Sequence, residues 1–330
     1  MEEIPHITSD IIQELKRLNI SSVYQLAVQN PVELALECED TLLNVESASI
    51  LIANARKILI DNEVLSREFL TADDLLEKRS KLSRYAIGSE NFDNLLNGGF
   101  ETQAITELVG EFAAGKSQIC HTLCVAASKL IKNDSGNIIF VDSENTFRAD
   151  RIHQIAEQRG LDPLLILEKI FHCQVYSSEH LESVIYDLDK SIEQYNAKIV
   201  IIDSLISLHR AEYSGRGTLA DRQQRLGKML NKLRRYADIY NIAVVITNQV
   251  VSHPDVAHPG FDSTKAAGGN IVAHGSTYRI FLRKSGKNRV ATMFDSPSHP
   301  YEHIKFSISE SGIQDAISYK TEDDGSNSGW

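Results

Sequence analysis

With 330 residues, 42% of them hydrophobic and 24% charged, the chain has ordinary globular composition and length enough for an α/β core plus a smaller domain, which excludes a disordered or fibrous protein. No run approaches the ~20 consecutive apolar residues of a membrane helix, and the start Met1-Glu-Glu-Ile-Pro is acidic where a signal peptide is basic and then apolar, so a cytoplasmic protein with no membrane partner is expected. Net charge is −11, yet residues 207–290 hold 14 Lys/Arg against 5 Asp/Glu, making that span +9 and the remainder −20; screening beyond ~8 Å lets such a surface meet phosphate backbones on an acidic protein.

Residues 1–62 read as a small all-helical lobe. Helices are expected over 10–18, with apolar residues at 11, 12, 15 and 18, over 23–28, over 31–38 behind a helix-compatible proline, and over 46–59. The first 64 residues carry 4 basic and 11 acidic side chains, a poor surface for gripping DNA. Residues 63–84 form a polar linker holding the apolar island Phe69-Leu-Thr-Ala72. Phe69 either anchors on its own core or docks on a neighbouring subunit.

The core, residues 85–317, is organised around Gly110-Glu111-Phe112-Ala113-Ala114-Gly115-Lys116-Ser117, which spells G-x-x-x-x-G-K-S between an apolar strand at 104–109 and a helix that Gln118 opens and that runs to 131. A phosphate chain needs several backbone N–H donors converging on it, and Gly110 and Gly115 let the backbone approach. Lys116 adds a point charge for the β- and γ-phosphates, Ser117 a hydroxyl for Mg²⁺, and the helix its positive end. These eight residues with Gln118 are the expected nucleotide-binding segment. The alanines at 113 and 114 are expected to point away from the phosphates.

Beyond the loop, strand-like runs at 137–142, 170–176, 198–203 and 242–247 alternate with helical spans near 149–159, 179–195 and 218–240, the pattern of a parallel sheet covered on both faces. From 277 the runs become strand-rich, at 277–282, 290–295 and 304–308, and an antiparallel extension of the sheet is expected. Residues 318–330 are Ser/Gly/Asp-rich and read as a disordered tail. Cys38, Cys120, Cys124 and Cys173 form no C-x-x-C pair and read as reduced thiols, mostly buried, not as a metal site.

Asp203 ends the apolar run Ile199-Val-Ile-Ile. A carboxylate there requires a partner or a cation, and Mg²⁺ held partly through water is the natural one, giving Ser117 and Asp203 as metal candidates. Glu144, just past the strand at 137–142, either orients the attacking water as general base or complements the dipole of the following helix. Gln249, in Thr247-Asn-Gln249, either senses a γ-phosphate or caps its strand. Two stretches read as mobile loops: 209–217, where arginines interleave with an aromatic and glycines as in backbone pairing with base stacking, and 251–267, which lacks periodicity.

These residues together resemble the RecA-type strand-exchange recombinases, in particular their archaeal RadA branch. The resemblance spans most of 65–317 and runs through Gly98-Gly-Phe-Glu-Thr-Gln-Ala-Ile-Thr-Glu107, the phosphate loop, Asp142-Ser-Glu-Asn-Thr-Phe-Arg148, Glu212-Tyr-Ser-Gly-Arg-Gly217, Arg222-Gln-Gln224, Thr247-Asn-Gln-Val250, Gly268-Gly-Asn-Ile-Val-Ala-His274 and Leu282-Arg-Lys284. It implies a RecA-like P-loop ATPase core, an α/β fold with a mostly parallel central sheet and an antiparallel C-terminal extension. It also implies ATP and Mg²⁺ as cofactors, catalysis by Glu144, Lys116 and Gln249, and Arg151 stacked on adenine. Phe112 and His274 would relay γ-phosphate status, and Asp295 with Pro297 would cap ATP from the neighbouring subunit.

By the same resemblance Arg210, Tyr213, Arg216 and Arg222 belong to a first DNA loop and His253 and Lys265 to a second, with single- and double-stranded DNA as partners. Phe69 and Ala72 match an F-x-x-A polymerisation motif, implying a homo-oligomeric filament or ring, with recombination mediators as further partners and nucleoid association in the cell. The N-terminal lobe is similar in helix order to a helix-hairpin-helix, but its hairpin glycines are absent. His6-Ile-Thr-Ser-Asp10 and Glu37-Cys-Glu-Asp-Thr41 stand in their place. The implied function is ATP-dependent strand exchange in homologous recombination and repair; the alternative is an accessory paralogue that binds ATP but does not exchange strands.

Overall fold

A computed structural model of the protein describes residues 1–5, 7–38, 42–67, 69–131, 136–213, 217–252, 264–267 and 269–316. Four helices open the chain. In α1 (Ser9–Arg17) the Thr8 hydroxyl accepts from the Ile11 N–H, and reciprocal capping boxes start α2 (Val23–Ala27) and α4 (Val45–Asp61). Between them α3 (Pro31–Glu37) places proline in its first turn, where a missing N–H costs nothing. Leu15, Leu26, Leu34, Leu51 and Ala55 close the lobe's interior.

The polar linker is not featureless, because α5 (Ala72–Ser80) forms within it. Thr71 and Asp74 make a capping box, Asp73 and Asp74 sit at the positive end, and Lys78 and Arg79 at the negative one. Local capping therefore holds a helix that buries no residue, which hydrophobic periodicity cannot reveal.

Next come β1 (Arg84–Tyr85), α6 (Glu90–Leu95), β2 (Phe100–Glu101), β3 (Ala104–Gly110), α7 (Lys116–Ile131), β4 (Asn137–Asp142), α8 (Ala149–Gln158), α9 (Pro163–Leu167) and β5 (Ile170–Gln174). They are followed by α10 (Ser178–Tyr186), α11 (Leu188–Tyr195), β6 (Ala197–Asp203), α12 (Ser207–Glu212), α13 (Leu219–Tyr240), β7 (Ala243–Asn248), β8 (Val250–Ser252), β9 (Thr264–Ala266), α14 (Gly269–Gly275), β10 (Tyr278–Ser285), β11 (Asn288–Asp295), β12 (Glu302–Ser309) and β13 (Gly312–Asp315). The helix expected over 179–195 is broken at Asp187, which turns Leu188 and Ile192 into the same core as Leu181 and Ile185.

One sheet of nine strands, ordered β13-β12-β11-β10-β3-β7-β6-β4-β5, carries the core. Every pair from β10 to β5 is parallel, and β10 to β13 pair antiparallel. The expected α/β architecture is thus present, with β13 an added antiparallel strand. On one face α7 packs Ile119, Leu123 and Ala127 against Leu108, Phe140 and Ile280. On the other, Leu226, Met229, Leu233 and Tyr236 of α13 meet Val200, Val244 and Ile246. The helical lobe rests on this second side, where Tyr24 stacks on Tyr240 with ring centroids 5.6 Å apart and Lys232 donates to Gln29 Oε1 at 3.3 Å. Cys120 and Cys124 are fully buried in α7 and burial pushes both thiols up; Cys38 and Cys173 are half-buried, and all four are free.

Candidate active site

Parallel strands bring their C-terminal ends to one edge, and there the loop between β3 and α7 lies beside Asp142, Asp203 and Asn248, the last residues of β4, β6 and β7. Gly110 pairs in register with Leu282 of β10. A Cβ at Gly110 would lie 2.6 Å from the Leu282 carbonyl oxygen and 3.0 Å from Ala114 Cβ, so only glycine fits. Gly115 has φ +108°, and Ala113 holds φ +60° without being glycine, a conformation costing on the order of 1 kcal/mol. Ala114 turns into the core beneath the loop. It is fully buried under the loop, where its methyl group packs toward Gly110.

Lys116 Nζ donates to the carbonyls of Gly110 and Glu111 at 2.8 and 3.0 Å. Burial lowers its pKa, and the nearby Asp203 and Glu144 carboxylates work against that shift. Asp203, buried at the end of β6, accepts from the hydroxyls of Ser117 (2.6 Å), Thr146 (2.7 Å) and Thr247. Asp142 shapes the next turn by accepting the backbone N–H groups of Glu144, Thr146 and Phe147.

Glu144 Oε1 accepts from Ser204 Oγ at 2.8 Å and Gln249 Nε2 at 2.9 Å. Gln249 Oε1 in turn accepts from Arg210 Nη1 at 3.4 Å. The Glu144 carboxylate thus engages Gln249, and the Gln249 amide bridges Glu144 and Arg210.

The loop, Glu144, Thr146 and Gln249 line a cleft of about 970 Å³ whose far side holds Arg151 and Gln154. Arg151 is fixed by Gln118 Oε1 at 3.0 Å and by the carbonyls of Ser309 and Glu310. Gln154, Arg289 and Ile308 also line it. Sequence reasoning missed them because nothing local marks them; β11 and β12 bring Arg289 and Ile308 to the loop only once the sheet is closed.

Glycine positions that a Cβ would block, a lysine at the base and a helix starting at Lys116 fit a nucleoside triphosphate. The paired hydroxyl of Ser117 and carboxylate of Asp203 are hard oxygen donors suited to Mg²⁺. Among the described residues no cluster of three or more His, Cys, Asp or Glu could hold a metal.

Other candidates lie apart from the cleft. His274, exposed at the end of α14, accepts at its carbonyl from Arg234 Nη2 at 3.0 Å, and Asp295, the last residue of β11, and Pro297 just past it are exposed. The first loop is part helix: α12 spans Ser207–Glu212, and His209 is wholly buried with Nε2 2.9 Å from Glu182 Oε1. Tyr213 stacks on His209 at 6.1 Å and under the Arg225 guanidinium at 5.4 Å, and its carbonyl accepts from Arg222 at 3.5 Å. The second loop has an ordered base, β8 paired with β9, in which Lys265 faces Val251 across the ladder. Arg216, His253 and the tail over 318–330 lie outside the described residues. Phe69 is 91% exposed and so does not anchor on its own core; Ala72 opens α5. Among the described residues no helix is long and apolar enough to cross a membrane.

A family model described as Rad51 matches residues 78–316. The DNA repair and recombination protein RadA of Cenarchaeum symbiosum (strain A) is 40% identical over 306 residues, covering 92% of this chain and 76% of that protein.

Proposed function

The chain belongs to the Rad51 family, and we propose that within it this protein is an ATP-dependent strand-exchange recombinase that polymerises on single-stranded DNA and pairs it with homologous duplex. DNA recombination and repair, with ATP and DNA binding, are the family's field of action. The loop from Gly110 to Ser117 with Gln118 grips the triphosphate, Arg151 takes the adenine, and Ser117 and Asp203 hold Mg²⁺, which neutralises phosphate charge. Glu144 orients and deprotonates the attacking water while Lys116 and the loop's N–H groups stabilise developing charge.

The observation that carries this reading is the chain of contacts Glu144–Gln249–Arg210, which joins the nucleotide cleft to the start of the first DNA loop. Through it a change at the γ-phosphate biases the loop that holds Arg210, Tyr213, Arg216 and Arg222, while Phe112 and His274 serve a parallel link toward the second loop with His253 and Lys265. Phe69 and Ala72 join neighbouring subunits into a filament or ring, so that Asp295 and Pro297 of one subunit close over the nucleotide of the next. Recombination mediators and a nucleoid-associated cytoplasmic location belong to the same proposal. A strand-exchange assay with ATP tests it: joint molecules are expected, whereas assembly on single-stranded DNA without joint molecules would transfer the protein to the accessory class.

A further inference from the structure

We propose that Arg289 binds the polyphosphate of the nucleotide as a second cation beside Lys116, an assignment that rests on the nucleotide reading of the cleft. Arg289 stands opposite Lys284 of β10 and Phe306 of β12. Strand alternation places it on the face of Ala291 and Met293, which pack into the core that α7 covers. This is the side of the sheet on which the phosphate loop lies. The register is close: Leu282 pairs with both Gly110 and Ala291, and Ile308, two residues along from Phe306, comes within 3.2 Å of a Cβ built on Gly115. Arg289 accordingly lines the cleft together with the loop and Ile308.

Its hydrogen bonding is incomplete. Nη1 donates only to the carbonyls of its own hairpin, Lys287 at 2.9 Å and Asn288 at 3.5 Å, and Nε is buried with no partner. Among the described residues no carboxylate pairs with the guanidinium. A buried donor left unmade costs free energy that an arriving acceptor recovers, and a cation walled in on one side gains most from an anionic acceptor. A nucleobase offers only neutral acceptors, whereas the polyphosphate offers charged oxygens that match the guanidinium fork. The cleft also needs the charge. Lys116 shares its ammonium with two loop carbonyls, and the carboxylates of Glu144 and Asp203 add to the negative charge that a triphosphate brings.

The test is titration of the full chain with a fluorescent ATP derivative and Mg²⁺, with unlabelled ATP and GTP as competitors, for the unmodified protein, R289Q, R289K and K116A. R289Q should weaken ATP and GTP alike by about tenfold and flatten the salt dependence, with R289K recovering part of the loss. The unfolding midpoint without nucleotide should stay put while its nucleotide-induced rise shrinks. Equal affinities for R289Q and the unmodified chain overturn the assignment. A loss confined to adenine nucleotides moves the contact to the base and overturns it too, and so does a midpoint without nucleotide that falls in step with affinity. Failure of the unmodified chain to bind, with K116A no different, takes down the nucleotide reading itself.

Discussion

The Gln249 side-chain amide donates to Glu144 Oε1 at 2.9 Å, so one residue at the end of the β7 segment touches the carboxylate that faces the nucleotide cleft. The same amide accepts from Arg210. One neutral side chain therefore spans two charged ones of opposite sign, and displacing it changes the surroundings of both.

If Glu144 is the general base, Glu144→Gln should leave nucleotide affinity within about threefold and cut DNA-stimulated hydrolysis by about 10²–10⁴-fold. The amide can still accept from Ser204 but no longer takes a proton. Steady-state hydrolysis alongside a binding titration checks this. Parallel loss of both quantities would assign Glu144 a structural role.

His121 sits in α7 against Phe140 and Phe147, with both ring nitrogens buried and unpartnered. Burial lowers its pKa to about 4, with Asp203 and Asp142 opposing the shift and Arg151 and Arg148 adding to it. Since the folded value lies below the unfolded one, the folded state binds the proton less readily. The contribution is full above about pH 6.5 and lost as pH falls toward 4, amounting to about 3 kcal/mol at the acid end. His121→Phe should move the acid-unfolding midpoint to lower pH in a circular-dichroism titration; an unchanged midpoint would mean that other groups set acid stability.

Glu107, fully buried on β3, receives Arg279 Nε at 2.7 Å and Asn248 Nδ2 at 2.6 Å. Replacing it by alanine strands a buried guanidinium, and the expected loss of stability is about 3–5 kcal/mol. Denaturant unfolding of Glu107→Ala measures it. A loss below about 1 kcal/mol would show that Arg279 finds solvent or another acceptor.

Phe69 presents 91% of its surface to solvent, with Leu70, Leu75 and Leu76 exposed nearby. A single chain gains nothing from such a patch, and a neighbouring subunit is the partner proposed for it. Phe69→Ala should shift the light-scattering size distribution from long assemblies to small oligomers, and an unchanged distribution would return Phe69 to an incidental surface residue.

Much of this was legible in the sequence, and the misses have a common cause. The apolar runs at 137–142 and 198–203 gave β4 and β6 within a residue, because strands buried on both faces admit little else. The G-x-x-x-x-G-K-S spacing and a carboxylate ending a buried strand pointed to one site, and Ser117 donates to Asp203 at 2.6 Å. What the sequence hid was long-range or locally capped: α5 rests on capping rather than burial, His209 is recruited into the interior by Glu182 from 27 residues upstream, and Arg289 reaches the cleft only through the pairing of β10, β11 and β12. The pairing of Glu144 with Gln249 is of the same kind, since the two lie 105 positions apart and each alone admitted a plainer role.

If the nucleotide cleft and Arg210 communicate through Gln249, single-stranded DNA affinity measured with and without ATP reads that coupling. The unmodified chain should bind DNA more tightly with ATP. Gln249→Ala should abolish most of that difference while keeping nucleotide affinity nearly intact. An ATP-induced gain in DNA affinity that is undiminished in Gln249→Ala would contradict the account.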